Sequence, residues 1–227
     1  MKLIFLGNSL TEGIYGGNFV TQIAAKLAEH TVINAGVGGD TIVNVLERLE
    51  EVIAQEPDAI FVMCVENDAI SYQYPAMRLY YQYSKNIPDG IVSPDTYART
   101  YRQVFTRLQE TQSLLWVGLS ISEYSPELLE TMRQYNALAA EVARDLKIPV
   151  LDLTTHLDTS HIPARPPMSA RVIELIAQRG ADGWNDYENE RQRGGFKYTF
   201  DGVHLTPTTA TLFADEILKF LKSSGAI

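Results

Sequence analysis

Leu3-Ile4-Phe5-Leu6-Gly7-Asn8-Ser9-Leu10-Thr11 decides the fold. Four apolar residues in a row, without polar alternation, describe a strand buried on both faces, as in a parallel sheet covered by helices. The run stops at Gly7. Ser9 follows, then a polar, glycine-containing segment from Thr11 to Gly17. In an open α/β sheet, ligands bind beyond the carboxyl ends of the strands. Ser9 therefore stands where a nucleophile has a use. A serine hydroxyl there needs a base, an acid partner for that base, and donors for a developing oxyanion.

Outward from this stretch, strand and helix patterns alternate. Asn18 is placed to cap a helix carrying Phe19, Ile23 and Leu27. A short strand, 31–34, leads into Asn34-Ala35-Gly36-Val37-Gly38-Gly39-Asp40-Thr41, where Asp40 is expected to cap a helix bearing Val45, Leu46, Leu49 and Ile53. The apolar run Ala59 to Cys64 predicts a third buried strand, ending at Val65-Glu66-Asn67-Asp68, with Cys64 as buried packing. Ser93-Pro94 and Ser125-Pro126 open two long helices, with Pro at the first helical position. Strands are expected over 114–119 and 149–153. Thr206-Pro207 opens the last helix, with Leu212, Phe213, Ile217 and Phe220 facing the core. Two stretches break the alternation and read as insertions, at about 69–93 and 154–200. The second is expected to hold a helix over 169–178 that Gly180 ends. Alternating strands and helices predict parallel βαβ units in a three-layer α/β/α sandwich, folded as one domain of 227 residues.

Composition bounds the function. A hydrophobic content of 45% with 21% charged residues suits a globular chain with a sizeable core. A net charge of −9 argues against general nucleic-acid binding, which needs clustered Lys and Arg. The single cysteine excludes an internal disulfide. No apolar run approaches a membrane span, and the N-terminus lacks a signal-peptide pattern, so a cytoplasmic location is expected. Homo-oligomerisation is left open.

His204 is the candidate base. Asp201, three residues earlier in a turn, can reach the far nitrogen of the same imidazole, fix its tautomer and stabilise the imidazolium. Gly39 can present its backbone N–H at a helix start, Asn67 can offer a side-chain amide from a strand end, and the Ser9 N–H is a third donor. The order Ser, Asp, His matches one known arrangement of serine hydrolases. Taken singly, each residue has a plainer reading: a strand-end serine as a loop or cap, Asp-x-x-His as a turn, the glycines as backbone geometry.

Gly7-Asn8-Ser9-Leu10, Asn34-x-Gly36-x-x-Gly39-Asp40-Thr41, Glu66-Asn67-Asp68 and Asp201-x-x-His204 together resemble, in order and spacing, the blocks of the SGNH (GDSL-type) hydrolases. The resemblance runs from the first strand to the last helix. It implies a flavodoxin-like parallel sheet of five strands, with Ser9 as nucleophile and Ser9, Gly39 and Asn67 as the oxyanion hole. His204 and Asp201 complete the triad. It implies ester hydrolysis through an acyl-enzyme, with no metal or organic cofactor. The chain has Asn8 where the family has Asp, and Val65 with Glu66 where the family has Gly two positions before the block's Asn. Glu66 is accordingly expected to turn away from the oxyanion or to bind a substrate hydroxyl. Asn8 is grouped with it as a substrate-side residue.

The insertions are expected to set specificity. Tyr72, Tyr74, Tyr80, Tyr81 and Tyr83 can wall a sugar or aromatic group, or simply pack the insertion onto the domain. Trp184 can line the cleft or anchor its loop. Arg165, Arg171, Arg191, Arg193 and Lys197 read as a solvated basic face. The leading expectation is a serine esterase for a small or medium acyl ester, acetyl included, on a small molecule such as a carbohydrate. Thioester or lysophospholipid hydrolysis by the same site, and a non-catalytic small-ligand module using Gly36 to Gly39 as an anion cradle, are the alternatives. A metallophosphoesterase built on Asp201 and His204 has too few nearby ligands and leaves the serine unexplained.

Overall fold

The computed structural model describes residues 1–225 and 227. Five strands, β1 Lys2–Gly7, β2 Thr31–Gly36, β3 Ala59–Met63, β4 Leu114–Leu119 and β5 Val150–Asp152, form one sheet in the order β2-β1-β3-β4-β5, with every pairing parallel. This is the flavodoxin-like order. The helices are α1 Ser9–Glu12, α2 Phe19–Lys26, α3 Ile42–Glu47, α4 Leu49–Ile53, α5 Glu66–Gln73, α6 Arg78–Ser84 and α7 Pro94–Gln109. They continue with α8 Pro126–Asp145, α9 Arg171–Ala181, α10 Tyr187–Gly194 and α11 Pro207–Ser223.

Register places the chemistry. Gly7 is level with Gly36 on one side and with Met63 on the other. The segments leaving β1, β2 and β3 thus start side by side at one edge of the sheet. Gly36 lets them close up: a Cβ there would lie 2.1 Å from the Glu12 backbone nitrogen, so only glycine admits α1 against β2.

The core fills both faces of the central strands. Phe5 of β1 packs on Phe19 of α2 and on Phe61 of β3, with ring centroids 6.0 and 5.6 Å apart. Phe19 reaches Phe213 of α11 on one face, while Tyr97, Tyr101, Phe105 and Tyr135 of α7 and α8 are fully buried on the other. Removing such side chains from water stabilises the fold by about 1.5–3 kcal/mol each. The long helices begin as the sequence predicts: Ser93, Ser125 and Thr206 accept hydrogen bonds from the N–H groups of Thr96, Leu128 and Thr209, ahead of Pro94, Pro126 and Pro207.

Several expectations change. Asp40 does not cap the helix after β2; Thr41 does, because the Asp40 carboxylate is drawn to Arg48 Nε at 2.8 Å and Lys85 Nζ at 3.0 Å. The expected single helix breaks at Arg48, whose guanidinium also donates to the Gly7 carbonyl at 3.0 Å. The stretch 69–93 is mostly helical, as the end of α5, α6 and two single turns at Pro75–Met77 and Pro88–Gly90. The helix expected over 169–178 runs instead through Gly180 to Ala181, and α10 follows it unanticipated. Gly183, in the left-handed conformation, is the residue that turns the chain out of α9. On α11 the buried face is Phe213, Ala214, Ile217, Leu218 and Leu221, whereas Leu212 and Phe220 are only half-buried.

Candidate active site

Asn8 Oδ1 accepts the Leu10 N–H at 3.1 Å and so caps α1, which leaves Ser9 as its first residue, over the end of β1. The Ser9 hydroxyl lies 3.0 Å from His204 Nε2. The other ring nitrogen, Nδ1, lies 2.8 Å from Asp201 Oδ2, and the second carboxylate oxygen of Asp201 accepts the His204 N–H at 2.7 Å and the Val203 N–H at 3.0 Å. The pair shifts its own titration. Burial alone would raise the Asp201 carboxyl, but the adjacent imidazole and these donated bonds outweigh it and hold the group below the usual carboxylate range. Burial likewise opposes protonation of His204, and the Asp201 carboxylate outweighs that too, so the imidazole is held above its ordinary value.

The loop carrying this pair is clamped from β4. Glu123, buried just beyond that strand, accepts the N–H groups of Lys197, Tyr198 and Thr199 at 2.7–2.9 Å. Its own N–H and the Ser122 hydroxyl both donate to the Gly202 carbonyl, at 2.8 and 2.7 Å. Phe200 lies near-parallel to His204, and the Tyr15 ring meets the imidazole edge-on at 5.1 Å. None of Ser122, Glu123 or Tyr15 stood out in the sequence, because their roles depend on pairing across large sequence separations.

Gly39 has φ +78, and a Cβ there would fall 2.2 Å from the Tyr80 hydroxyl. Among the described residues, neither its N–H nor that of Ser9 makes a hydrogen bond. Asn67, at the start of α5, is oriented by two partners: Nδ2 donates to the Asp40 carbonyl at 3.1 Å, and Oδ1 accepts the Tyr81 hydroxyl at 2.8 Å. Among the described residues, the remaining Nδ2 hydrogen has no acceptor. Asp68 ties the same turn together by accepting the Ile42 N–H, and burial pushes its carboxyl well above the usual range. No group of three or more His, Cys, Asp and Glu among the described residues is arranged to hold a metal ion.

Ser9, Gly39, Asn67 and His204 all open onto one cavity of about 320 Å³. Ile14, Tyr15 and Tyr80 wall one part of it, and Ile173, Ile176 and Ala177 of α9 another. Of the five tyrosines of 69–93, only Tyr80 lines this cavity. Tyr74 is buried against Ser125 at 2.9 Å, Tyr72 packs on Tyr135, and Tyr83 points to solvent with 75% exposure. Trp184 lies one step back, under the Arg179 guanidinium at 4.0 Å and against Phe200, where it anchors its loop. These three, Tyr72, Tyr74 and Trp184, are therefore not on the cavity wall as anticipated.

Asn8 and Glu66 are also corrected as substrate-side residues. They are 0% and 1% exposed, and neither lines the cavity. Glu66 Oε2 accepts Asn8 Nδ2 at 2.6 Å, and its other oxygen accepts the Ser120 hydroxyl. The two departures from the family pattern are partners. An aspartate at position 8 would set two carboxylates in contact, whereas the amide both caps α1 and neutralises the hydrogen-bonding demand of Glu66. Both oxygens of the carboxylate are thus engaged, by Asn8 and Ser120.

No helix among the described residues is long and apolar enough to cross a membrane. A search of curated protein sequences returned no match. Among solved structures, an acetyl xylan esterase, AlAXEase, superposes with a TM-score of 0.66 at 19% identity, covering 97% of this chain and 100% of that one. An alpha/beta hydrolase enzyme from the metagenome of Lake Arreo, Spain, gives 0.63 at 17% identity, covering 99% and 95%. A catalytic mutant of Axe2, an acetylxylan esterase from Geobacillus stearothermophilus, gives 0.62 at 20% identity, covering 96% and 92%. At these identities the likeness shows the fold. Residues 5–210 match the GDSL-like Lipase/Acylhydrolase family, a span that holds every block from Ser9 to His204. The chain belongs to that family and is a carboxylic ester hydrolase.

Proposed function

We propose that the chain is a single-domain serine esterase hydrolysing a small or medium acyl ester through an acyl-enzyme. The observation that carries this reading is the continuous line from the Ser9 hydroxyl to His204 Nε2 at 3.0 Å and from Nδ1 to Asp201 at 2.8 Å, beside unused N–H donors on Ser9, Gly39 and Asn67. His204 takes the Ser9 proton as Oγ bonds to the ester carbon. The carbonyl oxygen becomes an oxyanion facing the Ser9 and Gly39 amides and the second Asn67 hydrogen. The tetrahedral species collapses, the bond to the alkoxide breaks, and His204 Nε2 protonates the departing alcohol. Water then attacks the acyl-enzyme, losing its proton to His204, and the Oγ–carbon bond breaks to release the acid and restore the serine.

Two findings on relatives support this reading. Catalytic mutants of Axe2 alter a serine, an aspartate and a histidine, the last two spaced three positions apart as Asp201 and His204 are. The names of the structural relatives favour an acetylated carbohydrate among the possible esters. Ser9→Ala is expected to lower p-nitrophenyl acetate turnover by about 10⁴-fold or more while leaving the far-UV and near-UV circular dichroism unchanged. Turnover retained within tenfold in the folded variant would remove Ser9 from the reaction.

A further inference from the structure

Gly180 has no structural reason to be glycine. It lies inside α9, with φ outside the positive range, and a Cβ built on it meets nothing within 4 Å. Helix termination falls to Gly183. A glycine at such a position lowers helix stability relative to alanine, so what it does contribute is the absence of a side chain.

What that absence does follows from its neighbours. Ile173, Ile176, Ala177 and Gly180 are spaced i, i+3, i+4 and i+7, which puts them on one face of the helix, and all four line the cavity in front of Ser9. Side-chain size falls along this stripe from isoleucine to alanine to glycine. The wall therefore recedes toward the carboxyl end of α9, and the cavity opens there. Ile14 and the rings of Tyr15 and Tyr80 extend the apolar surface, while the two tyrosine hydroxyls and Glu12 add its polar groups. A volume of about 320 Å³ lies in the range of small-molecule sites, about 300–1,000 Å³, and exceeds what an acetyl group can fill.

We infer that Gly180 is a specificity-determining residue: the open end of the α9 stripe admits an apolar group of several carbons on the substrate, and the missing side chain sets its size. The inference rests on the esterase reading above. The group can belong to the acyl or to the alcohol side of the ester.

The test uses the full chain, wild type and Gly180→Leu, with Gly180→Ala as a smaller step. Two substrate series are measured: p-nitrophenyl esters from acetate to octanoate, and alkyl acetates from methyl to hexyl. In wild type, kcat/KM is expected to hold or rise with length in one series. In Gly180→Leu the long-to-short ratio in that series is expected to fall about tenfold or more, with Gly180→Ala between, since a methylene or two in an apolar pocket discriminates on that scale. The series that responds identifies the side of the ester. A second readout uses two alkyl fluorophosphonates of different chain length, whose relative rates of Ser9 labelling should shift the same way. Ratios within about twofold of wild type in both series, with Ser9 still labelled, would overturn the inference and leave the esterase reading standing. A wild-type protein that turns over neither series and takes no label would overturn both.

Discussion

Two walls face each other across the cavity, and they are built differently. The floor, made by the ends of β1, β2 and β3 with the turn before α11, is tied by hydrogen bonds: Asn8 by Leu10 and Glu66, Asn67 by Asp40 and Tyr81, the Asp201–His204 turn by Ser122 and Glu123. The opposite wall, α9, has no buried residue. It is attached through its apolar face over the cavity and through Arg179, which donates to the Tyr15 hydroxyl, pairs with Glu190 and lies over Trp184. Chemistry needs reacting atoms placed within tenths of an ångström, and the floor has the hydrogen bonds to do so. Substrate choice needs a surface that can vary without disturbing them, and the role proposed for Gly180 assigns that surface to α9.

If the floor is where catalysis resides, its perturbation has the largest consequences. Asp201→Asn removes the charge that stabilises the imidazolium, and kcat is expected to fall by about 10²–10⁴-fold. The same contact fixes the pH profile. Because the Asp201 carboxylate raises the His204 pKa, and the base must be neutral, kcat/KM should fall on acidification through a midpoint above the ordinary imidazole value. In Asp201→Asn, residual activity should lose that limb to lower pH. A limb that stays put would separate the aspartate from the base.

Asn67→Ala comes next, with an expected loss of about 10²–10³-fold in kcat, the scale of one oxyanion donor. Tyr81→Phe sharpens the point. Its hydroxyl touches no substrate-facing surface, yet it holds the Asn67 amide the right way round. About a tenfold loss in kcat with little change in KM is expected, and the loss should vanish in an Asn67→Ala background. Additive losses would make Tyr81 only a packing residue. The smallest effect concerns α9 itself. Its amides should exchange with solvent at least about 100-fold faster than those of β1 and β3, because the helix has no fully buried residue and meets the core only through partly buried side chains such as Val172 and Ile173. Equal protection would mean the two walls open together.

Much of the floor was legible in the sequence. Apolar runs without alternation identify central strands, and Ser-Pro or Thr-Pro marks a helix start by local chemistry alone. Ser9, Gly39, Asn67, Asp201 and His204 could be singled out because each adjoins a strand or helix boundary that the pattern marks, and because together they resemble the SGNH blocks in order and spacing. The supporting groups were not. Glu123 is an acidic residue in a polar loop until the chain folds and three N–H groups converge on it. Tyr81 and Tyr80 are neighbours in sequence, yet one turns to Asn67 and the other to the cavity, a distinction set by the rotation of α6 against α5. Asn8 and Glu66 read as substrate-side residues because polar groups at strand ends often face a ligand, and it is their pairing with each other that permits their burial. Gly180 reads as a helix stop in the sequence, since a glycine near a helix end commonly is one; the left-handed Gly183 is what takes that role in the fold.

The claim beneath all of this is that Ser9 is made nucleophilic by His204. Reaction of the intact protein with a fluorophosphonate, followed by intact mass and peptide mapping, tests it most directly. One adduct per chain, on Ser9, formed at a rate that collapses in His204→Ala, is the predicted result. Labelling spread over surface serines, or a Ser9 adduct forming just as fast without the imidazole, would contradict it.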